Sequence, residues 1–348
     1  MKEKLLTIIL LFSTYFTYSQ SGVINDYSKV TDITGANISV EIPDFFEIGD
    51  NVLIIQMTGI TGYGNAGGTD NYAGNYELGE IINKNGNEIT LKNNPARNYS
   101  FTTEKVQLVR VPRYNNAIIG SNNMILAKSW DSEKGIGGVI SIIDCGLLQI
   151  TSEGIISASA KGFLGGKSIN PVCSSYEYIK AEGTNDTYYG STNAAPSGGT
   201  GGGFGGPSTN GSIGGGGAGV DGDGALGVTG DCNSTGHSPG GSGGGGFGGG
   251  GGASWDDGIY STKRNGSDAA STGTFNDLNK TLMGGGGFVE PDNGINIDNS
   301  MNAGGGIVII FAKSIQVDGK ILAKGGDGFG SGKNHGGGGG GQIIIRTE

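Results

Sequence analysis

Few side chains in this sequence combine the types and spacing that catalysis requires. His237 follows Cys232 by five residues, and a cysteine nucleophile with a histidine base would suit covalent catalysis. Both residues lie in glycine-rich sequence that provides no element to orient them, and His335 lies within another glycine run. The sequence therefore predicts no nucleophilic catalytic site.

Two stretches begin like ligand-binding loops but are incomplete. Gly162–Ser168 is similar to a phosphate-binding loop, but Lys161 occupies the position of its first glycine and a loop follows in place of a helix. Asp221–Gly224 begins like a calcium loop, but its twelfth position is Cys232 instead of a bidentate glutamate. We predict no cofactor, and a structural calcium ion has no complete motif to support it.

Carboxylates from distant strands can still converge into a site that cleaves polysaccharides. The charged residues available in the repeated blocks described below are Asp144, Glu153, Lys161, Lys313, Asp318, Lys320 and Lys324. A polysaccharide-active lyase or hydrolase is therefore the alternative to a non-enzymatic function.

The N-terminus has the parts of a secretory signal peptide. A basic start is followed by the short apolar run Leu5–Phe12 and a polar exit ending at Ser19-Gln20. We predict a signal peptide at 1–20 and a secreted or cell-surface location. No second long apolar run is present, so we predict no transmembrane segment. A net charge of −10 without a basic cluster disfavours nucleic acid as a partner.

The cysteines suit an exported chain. Three cysteines allow one disulfide and one free thiol. Cys145 ends an apolar run and is expected to be a small buried hydrophobe. Cys173 and Cys232 flank the first glycine block in polar sequence, and we favour a disulfide between them. The absence of CxxC spacing disfavours zinc.

Residues 21–115 predict a small all-β domain. Short apolar strands recur without helical periodicity, and Asn85-Gly86 between two of them is typical of a hairpin turn. A small barrel or a sandwich would satisfy this pattern.

The remainder, 116–348, contains a repeated block. Gly138–Ile143 parallels Gly306–Phe311, and Leu147–Ile150 parallels Ser314–Val317. A recurring strand–turn–strand unit is typical of a stacked β-solenoid, although an antiparallel sandwich would also fit. We predict a β-solenoid-like domain, and its open ends would allow an oligomer or filament.

Glycine supplies 74 of the 348 residues, mostly in an insertion at about 165–303 between the two blocks. Glycine has no side chain to pack and loses the most backbone entropy on folding, so this tract cannot form an ordinary core. It is either a flexible loop or an ordered polyglycine-type packing of extended segments.

Several aromatic residues lie in polar loop sequence. The candidate contact residues are Tyr63, Tyr72, Tyr188, Tyr189 and Trp255. Tyrosine and tryptophan supply rigid contact area with a polar tip, so they either form a carbohydrate or protein contact surface or pin loops onto the strands.

Gly49–Met57, Ala73–Glu77 and Val106–Tyr114 resemble the N-terminal domain of exported glycine-rich, adhesin-like proteins of flavobacterium-type Bacteroidetes. Gly306–Gly326 resembles their β-helical segment. The resemblance implies a non-enzymatic surface or extracellular protein, structural or adhesin-like, that binds a cell-surface or matrix glycan or protein. The chain departs from that family because Arg346–Glu348 follows a strand without a type IX sorting domain, so we expect a truncated product or another export route.

Overall fold

The structure, a computed structural model, describes residues 18–19, 21–59, 72–102, 104–121, 123–170, 177–179, 280–286, 288–289, 303–327 and 338–347. Within these ranges the regular elements are strands, apart from a short 3-10 helix at Pro43–Phe45. The strands are β1 (Tyr18–Ser19), β2 (Asp26–Thr34), β3 (Asn37–Val40), β4 (Asn51–Gln56), β5 (Tyr76–Asn85), β6 (Glu88–Leu91), β7 (Val106–Val111), β8 (Asn116–Ile119), β9 (Met124–Leu126), β10 (Val139–Ile150), β11 (Ile155–Ser157), β12 (Gly166–Asn170), β13 (Glu177–Ile179), β14 (Phe288–Val289), β15 (Ile307–Val317), β16 (Lys320–Leu322) and β17 (Gln342–Thr347). The predicted all-β class is confirmed.

Strands β2 to β7 form a closed antiparallel barrel in the order β2-β3-β6-β5-β4-β7. The predicted hairpin joins β5 to β6, and Gly86 has a φ of 57°, a conformation that glycine adopts without a Cβ penalty. The interior is filled by Val30, Ile38, Val40, Phe46, Val52, Ile54, Ile81, Ile89, Leu91, Val106 and Leu108. Of the two predicted architectures, the barrel is the one observed.

The second domain stacks parallel strands into two sheets. The main sheet has the order β1-β8-β10-β15-β17, and the second sheet has the order β16-β11-β9. Within the described ranges, β8 and β9, β10 and β11, and β15 and β16 each form a rung of the stack, with one strand in the main sheet and the next in the second. Aliphatic side chains such as Ile140, Ile156 and Val308 are buried between the two sheets. This is a β-solenoid-like arrangement.

The repeated blocks of the sequence lie on neighbouring rungs in register. Ile140 pairs with Val308, Leu148 with Ile315, and Ile156 with Ile321. Parallel strands in register place equivalent side chains above one another, so each apolar column continues from rung to rung. The stacked interpretation is confirmed, and the antiparallel sandwich is not what these residues form.

The barrel lies between two rungs of the solenoid. Before the barrel, β1 pairs with β8, and Gly22 forms a parallel bridge with Ile125 of β9. After the barrel, the chain returns to the same sheets as β8 and β9. The glycine-rich insertion is a second excursion, and most of it lies outside the described residues; a small sheet of order β13-β12-β14 lies near its two ends.

The glycines that are described pack backbone against backbone. Segment 303–305 hydrogen-bonds to four other segments: Gly162 N–H donates to Gly304 O, Gly284 N–H to Gly305 O, Gly305 N–H to Gly339 O, and Gly326 N–H to Ala303 O. A β-strand has two neighbours, so a segment with four resembles the close packing of extended polyglycine. Most of the insertion at about 165–303 lies outside the described residues, so whether it is ordered or flexible stays open.

Steric exclusion explains why these positions are glycine. A Cβ on Gly304 would overlap the carbonyl group of Gly284, and one on Gly341 would overlap the carbonyl oxygen of Gly306. Neither residue has a positive φ, so the requirement is for space and not for an unusual backbone conformation. Gly340 is different, because its Cβ would find its nearest neighbour, Ala323 O, 4.0 Å away.

We predict opposite effects of alanine at two adjacent glycines. Gly341→Ala should lower the unfolding free energy by about 1–3 kcal/mol, the usual cost of forcing extra atoms into a packed site. Gly340→Ala should be neutral or stabilise by up to about 1 kcal/mol, because it restricts the unfolded chain. Urea denaturation of both variants measures the difference. Equal stabilities would contradict close backbone packing.

Candidate binding face

Two side-chain amides attach the barrel to the main sheet. Asn25 donates to Ser141 O at 2.9 Å and accepts from Ser141 N–H at 3.0 Å. Gln107 does the same with Gly137, donating to its carbonyl at 3.0 Å and accepting from its N–H at 2.8 Å. Each side-chain amide makes the two hydrogen bonds that a peptide group of a neighbouring strand would make. The backbone N–H and C=O groups at the start of β10 are therefore hydrogen-bonded without a further strand beside them.

A tyrosine also joins the barrel to the main sheet; we call the contacts of Asn25, Gln107 and Tyr27 with this sheet the seam. Tyr27 donates its hydroxyl to Val139 O at 2.6 Å and is 2 % exposed. Leu53 and Ile55 of β4 pack on the same side, which explains why β4 is buried on both faces. The barrel therefore covers the outer face of β10 over its first half.

The second half of the main sheet carries an outer face beyond this barrel contact. A register shift between Ile142 and Cys145 marks the change. Leu148 and Ile150 point between the two sheets, so their neighbours Leu147 and Gln149 point outward. Pairing in register forms two outward columns, which we call the open face: Asn116, Leu147 and Ser314, and Ile118, Gln149 and Gln316.

The open face combines amide, hydroxyl and aliphatic groups. Leu147 is 37 % exposed, and Ser314 and Gln316 are exposed. The Asn116 side chain accepts a hydrogen bond from Leu147 N–H at 2.9 Å, and Gln316 donates to Asp318 at 2.8 Å. Amides both donate and accept hydrogen bonds, so this face can bind polar ligands of either kind. Neighbouring strands lie about 4.8 Å apart, so Gln149 and Gln316 place two amides side by side on adjacent rungs.

Two charged side chains, Arg113 and Glu80, lie where the barrel meets the start of the open face. The backbone of Arg113 pairs with Ile143, shortly before Asn116 pairs with Leu147. The Arg113 guanidinium donates to Asn51 at 2.6 Å and lies 4.0 Å from the Glu80 carboxylate. These contacts hold its guanidinium against the barrel.

Of the predicted contact aromatics, only Tyr72 falls within the described ranges. It is half-buried just before β5, where its carbonyl accepts from Asn75 N–H at 3.0 Å. It belongs to the barrel and to none of the strands that form the open face. Tyr63, Tyr188, Tyr189 and Trp255 lie outside the described residues, and so do Cys173 and Cys232, so their disulfide stays a prediction. Cys145 is a buried free thiol.

Of the charged residues proposed for a polysaccharide-cleaving site, five are exposed: Glu153, Lys313, Asp318, Lys320 and Lys324. Lys161 donates to the Ser129 hydroxyl at 2.9 Å. Within the described part of the chain, no three His, Cys, Asp or Glu side chains are grouped as metal ligands. The same part contains no helix with the length and apolarity to cross a bilayer.

The open face was not predicted from the sequence, although the sequence contains one signal of it. The aligned tetrapeptides Leu147–Ile150 and Ser314–Val317 already place Leu147 above Ser314 and Gln149 above Gln316. What the sequence did not provide was the extent of the barrel contact, which decides how much of the sheet is covered.

Fold and face together define an all-β protein in which a closed barrel is inserted between the rungs of a parallel β-solenoid. No protein-family model matches the sequence, and no curated protein matches it. Among solved structures the chain is similar to the Gp54 tailspike of Acinetobacter baumannii bacteriophage AP22, solved in complex with A. baumannii capsular saccharide, at 15 % identity and a TM-score of 0.21. The match covers 39 % of this chain and only 25 % of the tailspike chain. A TM-score this low establishes neither a shared fold nor a shared ligand.

Alkaline pH should weaken the seam through Tyr27. Burial raises the pKa of this phenol well above its usual range, with a smaller contribution from the Asp26 carboxylate. Its contribution to stability is therefore complete below the unfolded value of about 10 and is lost as pH rises towards the higher folded value. We expect the unfolding free energy to fall above pH about 10, by up to about 1.4 kcal/mol per pH unit for this one group.

Urea denaturation between pH 8 and 11 tests the contribution. Tyr27→Phe should be less stable at pH 8, because Val139 O loses its donor, and its stability should fall less steeply above pH about 10. Tyr99→Phe is the matched control: burial and Glu77 raise the pKa of Tyr99 within the barrel, so it should also reduce the slope but leave the seam intact. An unchanged slope in Tyr27→Phe would contradict the prediction.

Proposed function

We propose that this chain is an exported, non-enzymatic surface or matrix protein, adhesin-like, which binds a glycan along its open face. The observation that carries the proposal is the pairing in register of Gln149 with Gln316, which repeats an outward amide on two adjacent rungs. A repeating surface suits a repeating polymer better than a single small molecule, which is usually bound in a concave pocket. The resemblance to exported glycine-rich adhesins is part of the same proposal.

The chemistry of the open face favours a glycan over a protein surface. Sugar rings present hydroxyl groups that donate and accept, together with apolar C–H surfaces. Gln149, Gln316 and Ser314 supply donors and acceptors, and Leu147 and Ile118 supply aliphatic contact. None of the six side chains of the face is charged, so the hydrogen bonds, and not a strong field, would select the ligand.

Binding to polysaccharides tests this proposal directly. The mature chain is applied to immobilised cellulose, chitin, dextran and alginate, and the bound fraction is measured against concentration. The double variant Gln149→Ala/Gln316→Ala should bind about tenfold more weakly, since two hydrogen bonds contribute about 0.5–1.5 kcal/mol each. Exposed barrel amides give the control, Asn83→Ala/Asn93→Ala, which should bind like the wild type.

The outcomes distinguish binding at the open face from binding elsewhere on the protein and from cleavage of the polysaccharide. Equal loss in both double variants, or no loss in either, would contradict the open face as the site. Release of reducing ends during incubation would favour the alternative, a polysaccharide-active lyase or hydrolase. Binding without release, lost only in the Gln149/Gln316 variant, is the expected result.

A further inference from the structure

Two side-chain amides of the open face are each held in one orientation. The Asn116 side chain accepts a hydrogen bond from Leu147 N–H at 2.9 Å. The Gln316 side chain donates to the Asp318 carboxylate at 2.8 Å. A backbone N–H can only donate and an ionised carboxylate can only accept, so the bonded atoms are the Asn116 oxygen and the Gln316 nitrogen. Asn116 therefore presents its NH₂ group to a ligand, and Gln316 presents its carbonyl oxygen.

The six side chains of the open face are uncharged, but two basic side chains lie along its start. Lys313 follows Ala312, which is buried between the two sheets, so Lys313 points to the outer side, where it is exposed. Arg113 lies on the same outer side, because its guanidinium contacts the barrel, and its side chain is 50 % exposed. Glu80 lies 4.0 Å from Arg113 but also pairs with Lys92 at 3.2 Å. Positive charge therefore exceeds negative charge among these four charged side chains.

The two sides of the open face differ in hydrogen bonding and in charge in the same sense. The side nearest the barrel combines the Asn116 NH₂ group with the two basic side chains. The opposite side combines the Gln316 carbonyl oxygen with the Asp318 carboxylate. Leu147 lies between the two sides and is 37 % exposed. A complementary ligand needs an anionic edge, an apolar middle and an opposite edge of hydroxyl donors.

We infer that the open face binds a glycan of uronic acids, with its carboxylates on Arg113 and Lys313 and its hydroxyls on Gln316. This inference rests on the proposed glycan binding, and it names the class of glycan. In a polymer of uronic acids linked across the ring, the carboxylate projects from one edge of each sugar and a pair of hydroxyls from the other. The ring between them has an apolar C–H surface. Carboxylates form charge-assisted hydrogen bonds with guanidinium and ammonium groups, which are stronger than neutral ones.

The spacing of the two basic residues suits such a polymer. Arg113 pairs with Ile143 on one side of β10, and Lys313 belongs to β15 on the other side. Strands about 4.8 Å apart place the two backbones about 10 Å apart across the sheet. This is close to the length of a disaccharide, so a polymer that runs along the stack presents a carboxylate to each when alternate sugars face the same way. The same direction places Gln149 and Gln316 side by side under its hydroxyl edge.

Binding to alginate, a polymer of uronic acids, and to the same alginate after chemical reduction of its carboxylates to alcohols tests the inference. The wild type should bind alginate about three- to tenfold more tightly, since each exposed charge pair contributes modestly. Lys313→Gln should lose about two- to threefold of that preference and bind the reduced polymer like the wild type. The control Lys324→Gln removes the same charge from an exposed lysine beyond β16 and should keep the full preference.

The reduced polymer also tests Asp318 as a positioning residue, because no charge on the ligand contributes. Asp318→Ala leaves the Gln316 amide able to rotate, and it should weaken binding about two- to fivefold, as Gln316→Ala should. Adding Asp318→Ala to Gln316→Ala should cause no further loss, because Asp318 acts through Gln316. A merely structural role of Asp318 would weaken binding equally in both backgrounds.

The outcomes distinguish failure of this inference from failure of the proposed function. Equal binding of both polymers by the wild type, or equal loss in Lys313→Gln and Lys324→Gln, would overturn the inference. Glycan binding at the open face would still stand if Gln149→Ala/Gln316→Ala lost it. A wild type that binds neither polymer, or a Gln149→Ala/Gln316→Ala variant that binds both like the wild type, would overturn the inference and the open face together. A preference for alginate that is reduced in Lys313→Gln and kept in Lys324→Gln is the expected result.

Discussion

The pairing of β10 with β15 is the interaction on which the second domain depends. These strands join blocks more than 150 residues apart in the sequence, and their ladder places the second sheet, β8 and β17 around them. Loop-closure entropy rises only with the logarithm of loop length, about 0.6 kcal/mol per doubling. A solenoid can therefore accommodate a barrel or a long glycine-rich excursion between rungs, provided that the returning strand finds its register. Continuous isoleucine and valine columns fix that register.

Glycine solves the problem of returning to the stack. Where the excursions rejoin the domain, five segments come together near Gly304, and their carbonyl groups occupy the space that a Cβ would need. Peptide groups replace side chains as the packing units, and each N–H finds a carbonyl in a different segment. The same arrangement gives the buried backbone N–H groups of these glycines carbonyl partners, which buried polar groups require. Composition that excludes an ordinary core therefore still permits a dense, hydrogen-bonded one.

The parts of this fold that the sequence predicted are those with a repeated pattern. The aligned blocks beginning at Gly138 and Gly306 have the correct register because apolar columns must continue, and Asn85-Gly86 forms the expected hairpin. The pairing of β1 and Gly22 with the solenoid could not be predicted, because two residues and one glycine carry no periodicity. The seam depends on single polar side chains, Asn25 and Gln107, that mimic a strand, so the extent of the open face became evident only in three dimensions.

The proposed glycan binding meets one physical difficulty. Exposed amide–hydroxyl hydrogen bonds contribute little each, because water competes for both partners, so a face of six side chains would bind a glycan weakly. Several faces presented together would hold a polymer far more strongly than one face, because every contact after the first is intramolecular. A polymer that offers many equivalent sites is therefore the ligand that best suits such a face.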